Sequence, residues 1–459
     1  MTAAQDHATP PLKRVLANAG HLLSGRLVNA VVGLAYIALT ARSLGKEAMG
    51  VLVIINAFAQ FLGEVAHFES WQTVLTYGTD PLLRKERTKF QQVLRLSLML
   101  DLISSIIGVG LGVLGAWLFW KELRWPEGVS GYGALYALSI GVMTSATGVG
   151  LLRLFDRFHF LAGQQAVGSF VRMIGCAACA LTQAPIQWFL LAWAAGTFAS
   201  FFYIAAIAIW DLGARGLLKG FTLIGPTSRG IPGVWRFALA TNFSSTVDVG
   251  FTHVLTLVVG AMLGPVQAAY WRIGKQVADG MAKPARLMVP AMYPELAKMR
   301  AEGGQQAMTK LALQVALIGG AAAGVLLLVS LVAGRWILEV VMGKAFGAAA
   351  GVMNWQVAAA AVGILTLPLE PMLVSMRAAG AALAVRLVVV VAYLAALAPL
   401  INAFGLTGAG AALVASALAM AIGMYFMARH RLARLATEEG SARSDKDDER
   451  LSYDHPHGV

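Results

Sequence analysis

Seven stretches of the chain contain no Asp, Glu, Lys or Arg: residues 102–120, 128–152, 173–210, 249–271, 311–334, 345–369 and 387–428. A bilayer core takes about 20 apolar residues as a helix, so two of these stretches are too long for one crossing. The first breaks at Thr182-Gln183-Ala184-Pro185 and the second between Pro399 and Gly408. Pro and Gly clusters punctuate helices, so both stretches become helical hairpins. Adding segments that mix apolar with scattered charged residues gives twelve predicted spans. They lie near 15–41, 49–77, 92–120, 131–152, 161–182, 187–210, 235–262, 266–297, 311–334, 350–376, 381–400 and 406–428. The two-residue alternation of membrane β-strands is missing. The predicted fold class is all-α and polytopic, with about twelve transmembrane helices in two six-helix bundles around a central cavity.

Composition agrees with that pattern. Of 459 residues, 58% are hydrophobic and 13% charged, and the mean hydropathy is +0.68. A soluble domain carries about 25% charged residues, and 13% cannot cover a globule this large. The net charge of +12 would suggest nucleic acid in a soluble chain. Here it fits loops facing the cytoplasm and anionic lipid instead, so no nucleic-acid partner is expected. With both ends cytoplasmic, the inward segments hold 18 basic residues and the outward loops six: Arg42, Lys46, Lys121, Arg124, Arg335 and Lys344. That bias places both termini in the cytoplasm under the positive-inside rule. The segment 15–41 exceeds the apolar core of a cleaved signal and contains Arg26, so it reads as the first span. Cys176 and Cys179 form C-A-A-C inside an apolar run without a βαβ context, which makes them packing residues.

The organisation predicted is a cytoplasmic N-terminal tail (1–14), a first six-helix bundle (15–210), a linker (211–234), a second six-helix bundle (235–428) and a disordered cytoplasmic tail (429–459). The linker reads either as an interfacial piece on the cytoplasmic leaflet or as a Gly/Pro-rich connection. The tail is polar and charge-mixed. Leu44-Gly45 and Leu263-Gly264 align at an offset of 219 residues, each ending an odd-numbered span. Six spans per half give repeats of the same orientation, as in transporters with parallel halves around a central pathway.

Ionisable residues inside spans are costly and usually face a bundle interior or an aqueous cavity. The candidates are Arg26, Glu64, His67, Glu69, Asp101, Arg172, Asp248, His253 and Arg386, the last near enough to a span end to snorkel. Span eight is the most informative. Arg272, Lys275 and Asp279 follow helical spacings of three and four along one face, and Lys283 and Arg286 extend the stripe. Such a basic ladder either lines a path for an anionic group, for which Arg offers a rigid donor fork, or pairs internally, for example with Asp248. Glu64 and His67 share a helical face and suit a proton or cation site or an interhelical hydrogen bond. Asp248, Asp279, Glu64, His67 and Asp101 are therefore the candidates for coupling or ion pairing. No P-loop, H-E-x-x-H or G-x-S-x-G motif occurs, and nothing points to catalysis, a metal site or a cofactor.

The stretch L-L-S-G-R-L-V-N-A-V-V-G-L-A-Y-I-A-L-T-A-R-S-L-G-K-E-A-M-G at 22–50, with Arg42, Leu44, Gly45 and Gly50, resembles the start of bacterial polysaccharide and O-antigen flippases. These belong to the multidrug/oligosaccharidyl-lipid/polysaccharide exporter superfamily. L-L-R-L-F-D-R-F at 151–158 and Y-P-E-L-A-K-M at 293–299 resemble family segments too. The resemblance implies two six-helix bundles forming a V around a cationic cavity and no enzymatic step. It implies movement of undecaprenyl-pyrophosphate-linked glycans from the cytoplasmic to the periplasmic leaflet of the inner membrane. Arg26, Arg272 and Lys275 would face the substrate, and H+ or Na+ would drive the cycle. Expected partners are the lipid-linked oligosaccharide, membrane lipids and polysaccharide polymerase or assembly proteins. His67 and Glu69, in H-F-E-S-W-Q-T-V-L-T, depart from the mostly uncharged second span of relatives. The alternatives are a cation-coupled multidrug exporter, favoured by Glu64, Glu69 and Asp101, and a non-transporting scaffold of a polysaccharide assembly complex.

Overall fold

The computed structural model describes the backbone of residues 11–225, 233–286, 305–376 and 378–453. Side chains are described over the same ranges except 11–28, 130, 165, 238–252, 283–286, 305, 307, 379 and 435–453. Every regular element among the described residues is helical. In chain order these are α1 (Pro11–Ala66), α2 (Ser70–Leu83), α3 (Arg87–Phe119), α4 (Glu127–Ala137), α5 (Ile140–Met143), α6 (Thr147–Leu154), α7 (Phe158–Leu181), α8 (Ile186–Ala214), α9 (Val234–Leu263) and α10 (Pro265–Arg286). There follow α11 (Gln305–Met342), a 3-10 turn (Lys344–Ala349), α12 (Ala350–Leu365), α13 (Leu369–Ser375) and α14 (Ala379–Tyr453).

The two longest runs are not single rods. Helix α1 is interrupted at Gly45 (φ 72°, ψ 179°) and α14 at Gly405 (φ 61°, ψ −139°). Only glycine takes positive φ with extended ψ readily, so each residue is a turn between two crossings. Gly264, between α9 and α10, has φ 96° and ψ 174°. The two Leu-Gly pairs that align in the sequence therefore share one backbone conformation. With those turns counted, the described helices correspond to the twelve expected spans, residues 287–297 of the eighth lying outside the described residues.

Several hairpin turns share another device. Arg124, Asp156 and Gln183 have positive φ, as does Lys85. At each, the next backbone N–H returns five residues to a helix carbonyl: Glu86 to Pro81, Trp125 to Trp120, Arg157 to Leu152 and Ala184 to Cys179. This is the left-handed cap that satisfies the last carbonyls of a helix and reverses the chain in few residues.

Where the sequence predicts continuous spans, three are broken. Span two stops at Ala66 and restarts at Ser70, span four is divided among α4, α5 and α6, and span ten breaks between α12 and α13. Ser and Thr compete for backbone partners, and the break before α6 is Thr144-Ser145-Ala146. At its far end α14 runs on to Tyr453. The tail expected to lack order is thus helical to that point, in keeping with the Ala, Arg and Glu that fill its first turns beyond Ala428.

The chain forms two compact units. The first comprises residues 1–273 with 338–347, and the second 274–337 with 348–459. This differs from a division at 211–234, because α9 and the start of α10 pack with α1. Gly260 lies against Ile54, and Gly50 lies so close to Pro265 that a Cβ would stand 2.0 Å from its carbonyl oxygen. Small residues allow this backbone approach in membranes. The linker is held by the first unit as well. Gln91 donates to the carbonyls of Leu217 (2.8 Å) and Lys219 (3.0 Å), and Arg95 Nε to that of Thr222 (2.8 Å).

Candidate functional site

The first unit contains a buried carboxylate where two broken spans meet. Asp101, in the middle of α3, is 5% exposed. Its Oδ1 accepts a hydrogen bond from Ser70 Oγ, and its Oδ2 accepts from Ser145 Oγ (3.0 Å) and from the Thr147 backbone N–H (2.9 Å). Ser70 is the first residue of α2 and Thr147 the first of α6. Two helix N-termini therefore converge on one carboxyl group, where the helix dipoles favour negative charge. Thr147 Oγ1 closes the ring by reaching Ser70 Oγ at 3.4 Å. The other acidic groups of span two lie at the same break. Glu64 is near enough to His67 and Glu69 to feel their charges, and Glu69 accepts a hydrogen bond from Trp71 Nε1.

A second polar cluster surrounds Arg172 of α7. Its guanidinium donates to the Trp193 carbonyl (3.2 Å), to Thr197 Oγ1 (2.8 Å) and to the Tyr36 hydroxyl (3.5 Å). The Tyr136 hydroxyl accepts from Asn56 Nδ2 at 2.7 Å, and both Arg172 and Arg272 act on it electrostatically. Neither arginine forms an ion pair among the described residues. A cavity of about 730 Å³ lies among α3, α5, α6, α7, α8 and the linker. Its wall is largely apolar, but Ser145 and Thr147, which hold Asp101, and Thr197, which holds Arg172, all line it.

On α10, Lys275 Nζ pairs with Asp279 Oδ2 at 3.1 Å, both groups partly exposed. Lys275 thus has a partner on its own helix, one turn on, whereas Arg272 is half-buried with none. Arg272 acts electrostatically on Tyr136 within the first unit, whereas Lys275 belongs to the second. The side chains of Arg26 and Asp248 lie outside the described residues, on α1 and α9 respectively. Cys176 and Cys179 are buried free thiols.

Sequence reasoning missed the uncharged members of both clusters: Ser70, Ser145 and Thr147 around Asp101, and Tyr36, Asn56 and Tyr136 around the arginines. The available signal was the run Thr144-Ser145-Ala146-Thr147 inside a charge-free stretch, since hydroxyls clustered mid-span need partners.

No protein-family profile matches the chain. It is 27% identical over 340 residues to the inner membrane protein YghQ of Escherichia coli (strain K12), covering 72% of this chain and 93% of that one. Among solved structures it is similar to a multidrug resistance MATE family transporter of the MOP superfamily in an inward-facing conformation. The TM-score is 0.68 at 14% identity, over 91% of this chain and 96% of the other. It is also similar to the lipid II flippase MurJ in an inward closed conformation, with a TM-score of 0.67 at 12% identity, over 91% of this chain and 90% of that one. The chain therefore has the all-helical, two-bundle membrane fold of these transporters and flippases.

Proposed function

We propose that the protein flips a polyprenyl-pyrophosphate-linked oligosaccharide, or a related polysaccharide precursor, from the cytoplasmic to the periplasmic leaflet of a bacterial inner membrane. Both termini are cytoplasmic in this reading. The observation that carries it is the pair of arginines, Arg172 and Arg272, that bear on Tyr136 inside an apolar bundle without carboxylate partners among the described residues. A guanidinium held in low dielectric attracts an anion strongly, and its planar fork matches phosphate oxygens. The polyprenyl tail can remain in lipid while the head group crosses about 30 Å of hydrocarbon within the protein. Arg26 and Lys275 are the further candidates for contact with the substrate, Lys275 once an anion competes with Asp279 for it. Glycan polymerase or assembly proteins would receive the product.

Coupling to H+ or Na+ supplies the drive, with Asp101 as the carboxyl group that exchanges the ion. Asp248, Glu64, His67 and Asp279 are the other candidates for that role or for ion pairing. The test is translocation of a lipid-linked oligosaccharide in proteoliposomes by the wild type and by Arg272→Ala/Lys275→Ala. Loss of flipping in a folded double variant is the expected result, and normal flipping would overturn the reading. A second reading, a cation-coupled multidrug exporter, draws on the carboxylates at the break of span two and on the likeness to MATE transporters. Drug efflux without any effect on glycan export would favour it.

A further inference from the structure

A basic pocket of about 490 Å³ lies at the end of the first unit where α2 finishes, α3 begins and α8 passes into the linker. It is lined by Pro81, Leu82, Lys85, Arg87, Phe90, Arg215, Gly216, Leu217 and Lys219. Four of these are cationic, and no acidic residue lines it. All four basic side chains are exposed, and none has a carboxylate partner among the described residues. The nearby Glu86 is taken by Lys89, whose Nζ stands 2.8 Å from its carboxylate. Arg215 is braced over the Phe155 ring at 4.3 Å. Phe90 and Leu217 are buried and form an apolar floor with Pro81 and Leu82.

The rim is preformed. Gln91 and Arg95, one and two turns further along α3, are spent on the linker carbonyls and hold 217–222 in place. The turn at Gly216 (φ 69°) needs a glycine to bring Arg215 and Lys219 to the same mouth. Like charges gathered this way favour an anion among them, the more so at low salt.

We infer that this pocket binds the phosphodiester head group of an anionic membrane phospholipid of the phosphatidylglycerol class. The cations match the phosphate, and basic pockets between helix ends at a membrane surface take such head groups. The apolar floor suits the glycerol and upper acyl carbons, which a free ion would leave unfilled. The site lies among residues 81–90 and 215–219, apart from the interior clusters, and does not depend on the flipping activity.

The test uses the full-length purified protein. Binding of phosphatidylglycerol and of phosphatidylcholine is measured by native mass spectrometry for three proteins. These are the wild type, a pocket variant (Lys85→Gln/Arg87→Gln/Arg215→Gln/Lys219→Gln) and a variant with equal charge loss elsewhere (Lys310→Gln/Lys344→Gln/Arg429→Gln/Arg434→Gln). The pocket variant should bind phosphatidylglycerol about tenfold more weakly or worse, with phosphatidylcholine unchanged and the charge control like wild type. If the fourfold pocket variant does not fold, Lys85→Gln/Lys219→Gln, which alters only exposed side chains, should show an intermediate loss. Unaltered phosphatidylglycerol binding in a folded pocket variant would overturn the proposal. So would an equal loss in the charge control, which would reduce the effect to net charge. Displacement of the lipid by inorganic phosphate or pyrophosphate at comparable concentration would assign the pocket to a free anion and overturn it too.

Discussion

Two aspartates of the first unit are equally hidden from solvent and differently satisfied. Asp211, near the end of α8, is 2% exposed, and Arg157 binds it in a fork, Nε to Oδ2 at 3.0 Å and a terminal nitrogen to Oδ1 at 3.1 Å. Asp101 is 5% exposed and is held by two serine hydroxyls and one backbone N–H. A guanidinium can only donate, and both Asp211 oxygens are used as its acceptors. A hydroxyl donates or accepts. If Asp101 takes a proton on Oδ1, it can donate to Ser70 Oγ, and Ser70 can turn its own hydrogen towards Thr147 Oγ1. Both protonation states then fit the same heavy-atom positions. The comparison separates a carboxylate that fastens α8 to the turn before α7 from one suited to gain and lose an ion.

The same substitution should therefore act oppositely at the two sites. Asp211→Asn places an amide donor against guanidinium donors and strands a charge. Removing one partner of a fully buried pair costs roughly 3–5 kcal/mol. With the Arg157 side chain about a third exposed, solvent screening reduces this to about 2 kcal/mol. A clear fall in melting temperature in detergent is expected, with transport per folded molecule unchanged. Replacing the pair together, as Arg157→Met/Asp211→Leu, should recover most of the loss. A stable Asp211→Asn single variant would break the distinction.

Asp101→Asn keeps an acceptor for Ser145 and Thr147 and donates from its amide to Ser70 Oγ, so stability should change by less than about 1 kcal/mol. Its effect belongs to transport. Gradient-driven flipping should stop while downhill exchange continues, measured in proteoliposomes with and without an imposed ion gradient. Gradient-driven flipping at the wild-type rate would remove Asp101 from the coupling role. Asp101→Ala should be less stable than Asp101→Asn by about 1–3 kcal/mol, because the buried Thr147 N–H loses its acceptor. Equal melting of the two variants would show that the hydrogen bonds at the break do not hold α6.

The contrast also explains how much of the molecule is legible in its sequence. Charge-free runs and Gly/Pro punctuation located the twelve spans, and the Leu44-Gly45 and Leu263-Gly264 match anticipated two turns of one conformation. Asp101 stood out because a carboxylate within a span is costly. Its shell did not, since Ser70 and Ser145 are 31 residues before and 44 residues after it, and hydroxyls are common in apolar helices. The stripe on α10 was legible as spacing, but periodicity could not reveal that Lys275 pairs with Asp279 while Arg272 bears on Tyr136. Nor could composition divide the packing: the approach of α9 and α10 to α1 depends on Gly50 and Gly260, which look like any other small residues in such a chain.

The smallest effect is expected at the third kind of carboxylate, the partly exposed Glu86 in the turn before α3. The hydrogen bond from Lys89 is the main cause that holds its carboxyl below the ordinary value of 4.5. A carboxyl group with a lowered pKa in the folded state stabilises the fold above its unfolded pKa. That contribution is lost as the pH falls through the folded value. Water and salt screen a surface pair of this kind, so Glu86→Gln should melt with the wild type at neutral pH and retain its transport. The two should remain indistinguishable at acidic pH, where Glu86 is protonated in both states. A large loss at neutral pH would mean that exposure does not separate this ion pair from the buried one at Asp211. The ranking of the three carboxylates by burial and partner would then fail at its weakest member.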